Sequence, residues 1–191
     1  MKVNWKPGTM VYPLPAAIVS CGDSQESNIL TVAWTGTVCT NPPMLYISVR
    51  PERYSYELIR RHMAFTVNLT TAAMARATDL AGVRSGRDCD KWELCGLTPI
   101  PGVANDCPVV AESPLSIECR VKEITHLGSH DMFLADVVNV IADDRYIDAA
   151  TGSFDLNRAG IMAYCHGGYF ALGDKLGKFG FSVAKNKKRS R

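Results

Sequence analysis

Two stretches of this chain carry residue types that could grip a flat, polar ligand ending in a phosphate. The first is Asn28-Ile29-Leu30-Thr31-Val32-Ala33-Trp34-Thr35-Gly36-Thr37. Asn28, Thr31, Thr35, Gly36 and Thr37 give one edge an amide, several hydroxyls and a bare backbone. Such an edge can hydrogen-bond a ring that carries two carbonyls and two nitrogens. Trp34 alternates with Val32, which suits a core position as well as a ring contact. The second stretch, Ser48-Val49-Arg50-Pro51-Glu52-Arg53-Tyr54-Ser55, ends a strand and opens a helix. A helix start presents unpaired N–H groups with partial positive charge, and with two guanidiniums and a hydroxyl beside it would hold a phosphate dianion. The plainer description of the same residues is surface arginines around a helix cap.

Other positions read two ways. Asn68 ends the run Phe65-Thr66-Val67 and is a turn residue or a site amide. In Asp88-Cys89-Asp90-Lys91-Trp92, Lys91 could stabilise an anionic ring, or pair with Asp88 or Asp90 in an exposed salt bridge worth little. His126 and His130 flank Gly128 in a turn, and without helical context or nearby acids they make a poor metal site, so no metal is expected. Tyr164-Cys165-His166-Gly167-Gly168-Tyr169-Phe170 could lie flat over a second copy or form a pocket wall. Hydrolase elbows, phosphate-binding P-loops and dinucleotide fingerprints are absent from the sequence.

The elements that would position these residues are mostly strands. Short Val-, Ile-, Thr- and aromatic-rich runs bounded by Gly, Pro, Asn and Asp recur at Ala16–Cys21, Leu30–Thr40, Met44–Val49, Ala64–Leu69, Leu115–Ile124, Met132–Ile141 and Gly160–Cys165. Two interruptions read as helices. Ser55 can cap Tyr56–His62, with Arg60, Arg61 and His62 at the negative end of its dipole, and Thr71 can cap Ala72–Ala81, ended by Gly82. From Val83 to Pro114 the chain reads as loop, with Gly86, Gly96, Pro99, Pro101, Gly102 and Pro108.

The 191 residues suffice for one domain, taken as residues 1–184, followed by a basic tail over residues 185–191. The tail holds Lys185, Lys187, Lys188, Arg189 and Arg191, and is expected to be solvated rather than a nucleic-acid patch. A net charge of +2 calls for no acidic partner. No apolar run approaches the roughly 18 residues of a membrane span. The start, Met1 to Pro7, lacks the layout of a signal peptide, so a cytoplasmic address is expected. Seven cysteines without Cys-x-x-Cys spacing argue against a disulfide framework, a zinc ribbon or an iron–sulfur site.

In order and spacing, the chain resembles the flavin reductase-like family with the FMN-binding split barrel, and within it the flavoredoxin branch. The resemblance runs from Tyr12-Pro13-Leu14-Pro15 through Asn28-x-x-Thr31-x-Ala33-Trp34-x-Gly36, Pro42-Pro43-Met44, Ser48-x-Arg50-Pro51-x-Arg53-Tyr54-Ser55, Val67-Asn68-Leu69, Ser85-Gly86-x-Asp88-x-Asp90-Lys91-Trp92 and Glu118-Cys119 to Leu172-Gly173-x-x-Leu176-Gly177-x-Phe179-Gly180-Phe181. It implies an all-β fold with minor helices, a six-stranded antiparallel Greek-key split barrel, and a homodimer holding FMN non-covalently at its interface. It further implies that the strand with Asn28, Thr31, Val32, Ala33, Trp34, Thr35 and Gly36 lines the isoalloxazine. Ser48, Val49, Arg50, Arg53, Tyr54 and Ser55 then hold the ribityl phosphate, Lys91 approaches the ring, and Asn68 and His166 complete the cofactor set. Relatives that use NAD(P)H carry Gly-Asp-His, where this chain has Gly128-Ser129-His130, keeping the histidine and losing the acid. His130 is the residue expected to shape the donor side. The implied activity is electron transfer through FMN, from NAD(P)H or a redox protein to an acceptor, or else an electron carrier without a small-molecule substrate of its own.

Overall fold

The structure is a computed structural model, which describes residues 1–183. The basic tail expected at residues 185–191 lies outside the described residues. A seven-stranded antiparallel sheet dominates, built from β2 (Ala17–Gly22), β3 (Ser27–Val32), β4 (Thr35–Thr40), β5 (Pro43–Val49), β6 (Ala64–Leu69), β9 (Leu115–His126) and β10 (Asp131–Ala142), in the order β3-β2-β6-β9-β10-β5-β4. A three-stranded sheet of β1 (Leu14–Pro15), β11 (Met162–Cys165) and β12 (Gly168–Ala171) stands beside it. The short pair β7 (Pro99–Ile100) and β8 (Val109–Val110) lies in the stretch expected to be loop.

The expected strand Leu30–Thr40 is broken in two, which is why the large sheet has seven strands and not six. Thr35 N–H donates back to the Ala33 carbonyl at 3.0 Å, a turn of one residue that ends β3 and starts β4. The break has a topological effect. Strands β3 and β4 are consecutive in the chain and yet occupy opposite edges of the sheet, so the sheet curls into a barrel whose two edges are joined through Ala33-Trp34. Ser48 N–H donates to the Trp34 carbonyl at 2.8 Å and pins that joint to β5. Inside the barrel Val19, Ile47, Val49, Ile59, Phe65 and Phe133 are buried together. The other face of β2 and β3 is covered as well, with Ile18 and Ile29 packed on Met74, Ala81 and Trp92, and so Ala-Ile-Val-Ser-Cys-Gly of β2 is buried along its length.

The helices differ from expectation at their starts. Helix α1 runs Tyr54–His62 with Arg53 at its N-cap and no side-chain cap bond, so Ser55 lies inside the first turn and does not cap it. Thr71 likewise makes no side-chain cap bond; it pairs with Ile161, and a single 3-10 turn (Ala72–Met74) leads into α2 (Ala75–Val83). Gly82 is a helical residue and not the terminator. A Cβ there would sit 3.2 Å from the Thr31 Cβ, so the missing side chain lets α2 lie tightly on β3. A further helix, α3 (Lys91–Cys95), interrupts the expected loop, started by Asp90, whose carboxylate accepts from the Trp92 and Glu93 amides.

Candidate functional site

Where the barrel edges meet, two concave spaces open side by side. The first, about 390 Å³, is walled by Thr31–Trp34 from the end of β3 and Ser48–Arg50 from the end of β5. His130, Val83, Tyr164 and Tyr169 close its other sides. The second, about 310 Å³, lies between β3 and the start of α1, with Asn28, Tyr54, Ser55, Arg84, Arg87 and Lys91 among its walls. Leu30 and Arg53 line both, so the two form one bent groove. The lining of the first holds no carboxylate, and that of the second holds only Glu52.

In the second space the polar groups are locked in a chain. Asn28, buried, donates through Nδ2 to Ser55 Oγ at 2.7 Å. Tyr54 donates its hydroxyl to Glu26 Oε1 at 2.6 Å, and the Arg87 guanidinium lies 5.6 Å from its ring centroid. That Tyr54 hydrogen bond, and then Arg61, hold the Glu26 carboxyl below the usual range. Gly86 closes the loop over these residues: a Cβ would fall 2.4 Å from Asn28 Oδ1 and 2.7 Å from Tyr54 Cδ1, so only glycine lets the backbone pass. Lys91 is buried, with Nζ donating to the Ala81 carbonyl at 2.5 Å. It pairs with neither Asp88 nor Asp90. Burial, more than the nearby charges, brings its amine down to about 8.

The turn between β9 and β10 brings His130 to the rim of the first space. Its Nδ1 is 3.0 Å from Ser129 Oγ, and burial followed by the Arg50 charge holds its imidazole below the ordinary histidine range. The next residue is acidic but faces the other way. Asp131 is buried and accepts from the Tyr56 hydroxyl at 2.6 Å and lies 2.9 Å from His126 Nδ1, contacts that lower its carboxyl. The groove therefore gains the histidine of this turn and no acid from it.

Of the residues singled out by sequence, Thr31, Val32, Ala33, Trp34, Ser48, Val49, Arg50, Arg53 and His130 meet in the first space, and Asn28, Tyr54, Ser55 and Lys91 in the second. Lys91 thus stands with Ser55 rather than with Trp34. Four residues lie off the groove. Asn68 is fully buried in the sheet, donating to the Ile18 carbonyl and Ser20 Oγ and accepting from the Val110 amide and Ser116 hydroxyl. Its amide is saturated by the fold. His166 has φ 48 and Gly167 φ 91, the two positive values of a tight hairpin turn between β11 and β12, and its ring packs edge-on to Tyr12. Thr35 gives its hydroxyl to the Tyr46 carbonyl at 2.7 Å, and Gly36 lies against the Tyr46 ring. Sequence reading passed over Arg84 and Arg87, whose signal was two arginines bracketing Ser85-Gly86.

Residues 9–173 match the family model of the Flavin reductase like domain. The structure is similar to the flavoredoxin of Desulfovibrio vulgaris (Miyazaki F), with 31% identity, coverage of 96% of this chain and 100% of that one, and a TM-score of 0.88. A flavoredoxin from Methanosarcina acetivorans is 25% identical, with 96% and 100% covered and a TM-score of 0.86. The protein YddH of Escherichia coli (strain K12) is 28% identical over 165 residues, which is 84% of this chain and 87% of that protein. These likenesses support a flavin-binding redox function and an all-β, split-barrel fold. None of the described helices is long and apolar enough to cross a membrane.

Proposed function

Because the chain belongs to the flavin reductase-like family, on its flavoredoxin branch, we propose that it binds FMN non-covalently and passes electrons through it. The observation that carries the reading is the bent groove itself. Its two halves match the two ends of the ligand, a basic pocket at the start of an uncapped helix for the phosphate and a strand-walled slot for the ring. Helix α1 leaves its first amides without a side-chain cap, and Arg53, Arg84, Arg87 and Lys91 stand around them. The slot offers the backbone of Thr31–Trp34, the Ser48 hydroxyl and the half-buried Trp34 face. Asn68, His166, Thr35 and Gly36 take no direct part.

The bound flavin would supply the redox chemistry by accepting a hydride or electrons. The chain's own groups orient and tune it. Arg50 and Arg53 place positive charge along the slot with no carboxylate in its lining, which favours a ring that gains negative charge. His130 stands at the open rim, where a donor would approach. Trp5, Met10, Val11, Leu176, Phe179 and Phe181 stand largely exposed on the irregular segments and the closing turn at either end of the described chain, an apolar surface suited to a homodimer. Free thiols suit the cytoplasm.

A second reading, an electron carrier reduced by a partner protein, is favoured by the Gly128-Ser129-His130 turn. The acid of the NAD(P)H-using pattern is absent there, and Asp131 is committed to Tyr56 and His126. Anaerobic mixing of the FMN-loaded protein with NADH and with NADPH separates the readings. Rapid bleaching marks a reductase, and persistent yellow that bleaches with a reduced redox protein marks a carrier. Protein that stays colourless and gains no flavin spectrum with FMN sinks both.

A further inference from the structure

We propose that Tyr164 and Tyr169 form the stacking face of a second subsite in the slot, which takes a planar quinone as the acceptor of the flavin's electrons. This subsite rests on the FMN reading above and gives it a substrate class.

The two tyrosines come from the three-stranded sheet beside the barrel. Tyr164 on β11 and Tyr169 on β12 are register partners, so their side chains share one face of that sheet. Their rings meet edge to face with centroids 5.8 Å apart. Tyr12 backs Tyr164 at 6.1 Å between centroids, and the Tyr169 hydroxyl donates to Asp79 of α2 at 3.4 Å. Both rings are thus held by residues that do not line the slot, while they themselves line it and stay partly exposed. Aromatic surface left open to a cavity favours a flat ring laid against it.

The rest of the lining selects the kind of ring. Val83 is apolar, Arg50 and Arg53 bring positive charge, and no carboxylate lines this space. Arg53 donates to the neutral Gly82 carbonyl at 3.2 Å and so keeps its charge, whereas Arg50 is shared with Glu52 at 3.5 Å. His130 has Nδ1 3.0 Å from Ser129 Oγ, which leaves Nε2 for a ligand. A quinone suits this set. Hydride arriving at it puts negative charge on a carbonyl oxygen, which a guanidinium or an imidazole N–H stabilises. A nicotinamide has the opposite need, because it becomes a cation as it gives up hydride, and the slot offers it two arginines and no acid.

In the transfer, anionic reduced flavin loses a hydride and returns to its oxidised form. The quinone gains that hydride together with one proton from water at the open rim, and leaves as the hydroquinone.

The test reduces FMN-loaded protein anaerobically with stoichiometric dithionite and mixes it with duroquinone, whose fully methylated ring the free thiols of the chain cannot add to. Expected is a reoxidation rate that saturates with quinone concentration. Tyr164→Leu and Tyr169→Leu should raise the half-saturating concentration about 3- to 10-fold, while Tyr169→Phe, which keeps the ring, should stay within about twofold of the native chain. Ferricyanide, a non-planar one-electron acceptor, should respond far less to either leucine substitution. Saturation-transfer NMR on the quinone methyl protons, with oxidised FMN-loaded protein, reads binding without turnover, and its signal should weaken in both leucine variants. Should Tyr164→Leu fail to fold, Tyr169→Leu carries the comparison. The inference is overturned, with FMN binding left standing, by a rate that rises linearly with quinone, by equal effects on quinone and ferricyanide, by Tyr169→Phe behaving as Tyr169→Leu, by an NMR signal indifferent to the substitutions, or by an equal loss of FMN affinity. If the protein binds no flavin, the NMR signal of the empty chain decides. A signal that weakens in the leucine variants keeps the subsite and removes the FMN reading, and its absence removes both.

Discussion

Replacing Gly86 with alanine tests whether the basic half of the groove is built around a loop that only a bare backbone can form. The added Cβ would lie 2.4 Å from Asn28 Oδ1 and 2.7 Å from Tyr54 Cδ1, well inside contact distance. Neither neighbour can yield without loss. Asn28 is tied to Ser55 at 2.7 Å, and Tyr54 is held by Glu26 at 2.6 Å with Arg87 over its ring. Forcing a methyl into such packing costs about 1–3 kcal/mol, and breaking the Asn28 bond adds about 1 kcal/mol. The loop must therefore lift, carrying Arg84 and Arg87 away from the start of α1. If about 1.4–2.8 kcal/mol of that cost falls on the loaded site, FMN affinity drops about 10- to 100-fold. Fluorescence titration of Gly86→Ala with FMN and riboflavin, alongside a denaturation midpoint, reads both effects. FMN should lose far more than riboflavin. A variant that binds FMN within about twofold of the native chain, or loses both flavins equally, refutes the assignment of this pocket to the phosphate.

Three further outcomes follow from the geometry. Asn68→Ala leaves the Val110 amide and Ser116 hydroxyl without their acceptor, at about 1–3 kcal/mol each. Urea unfolding should show that loss with flavin affinity unchanged, and intact stability with lost affinity contradicts it. The Asp131 carboxyl is held below the ordinary value of about 3.9 by Tyr56 and then His126, so its contribution is complete above that value and drains as pH falls through its folded one. Asp131→Asn should flatten this acid limb of the stability curve, and an unchanged limb counts against the role. His130→Ala should keep FMN affinity within about threefold yet slow reduction by the physiological donor on the order of tenfold, or 1.4 kcal/mol; stopped-flow traces that superimpose on the native ones remove His130 from the donor side.

Much of the barrel was legible because alternation and β-branched runs report burial directly. The expected run Ala64–Leu69 matches β6, and the expected Met44–Val49 and Met132–Ile141 fall within a residue of β5 and β10 at each end. The break inside Leu30–Thr40 was not legible. Val32, Ala33, Trp34 and Thr35 suit an extended strand, and the turn arises from a tertiary demand, the joining of opposite sheet edges pinned by Ser48. The site showed the same division. Arg53, Tyr54 and Ser55 stood out because a helix start and its charges are adjacent in sequence, and the structure places all three on the groove. Arg84 and Arg87 approach only through the fold. Asn68 and His166 lie off the groove, and sequence could not show this because a polar type at a strand end looks the same whether a ligand, a buried amide network or a hairpin turn uses it.

The charges of the groove make sense only with the carboxylates that surround it. A site for an anion loses its attraction if its cations are neutralised by the fold's own acids, and in this chain, apart from Glu52, which pairs with Arg50 at 3.5 Å, the nearby acids are engaged elsewhere. Glu26 is taken by Tyr54 and Arg61, Asp90 by the first amides of α3, and Asp131 by Tyr56 and His126. Each bond also fixes an element that bears on the groove: α1 against β3, the lysine-bearing helix, and the turn that presents His130. The same hydrogen bonds that order the walls therefore leave Arg53 and Lys91 without carboxylate partners among the described residues. That arrangement makes an incoming phosphate, rather than a residue of the chain, the natural counter-charge.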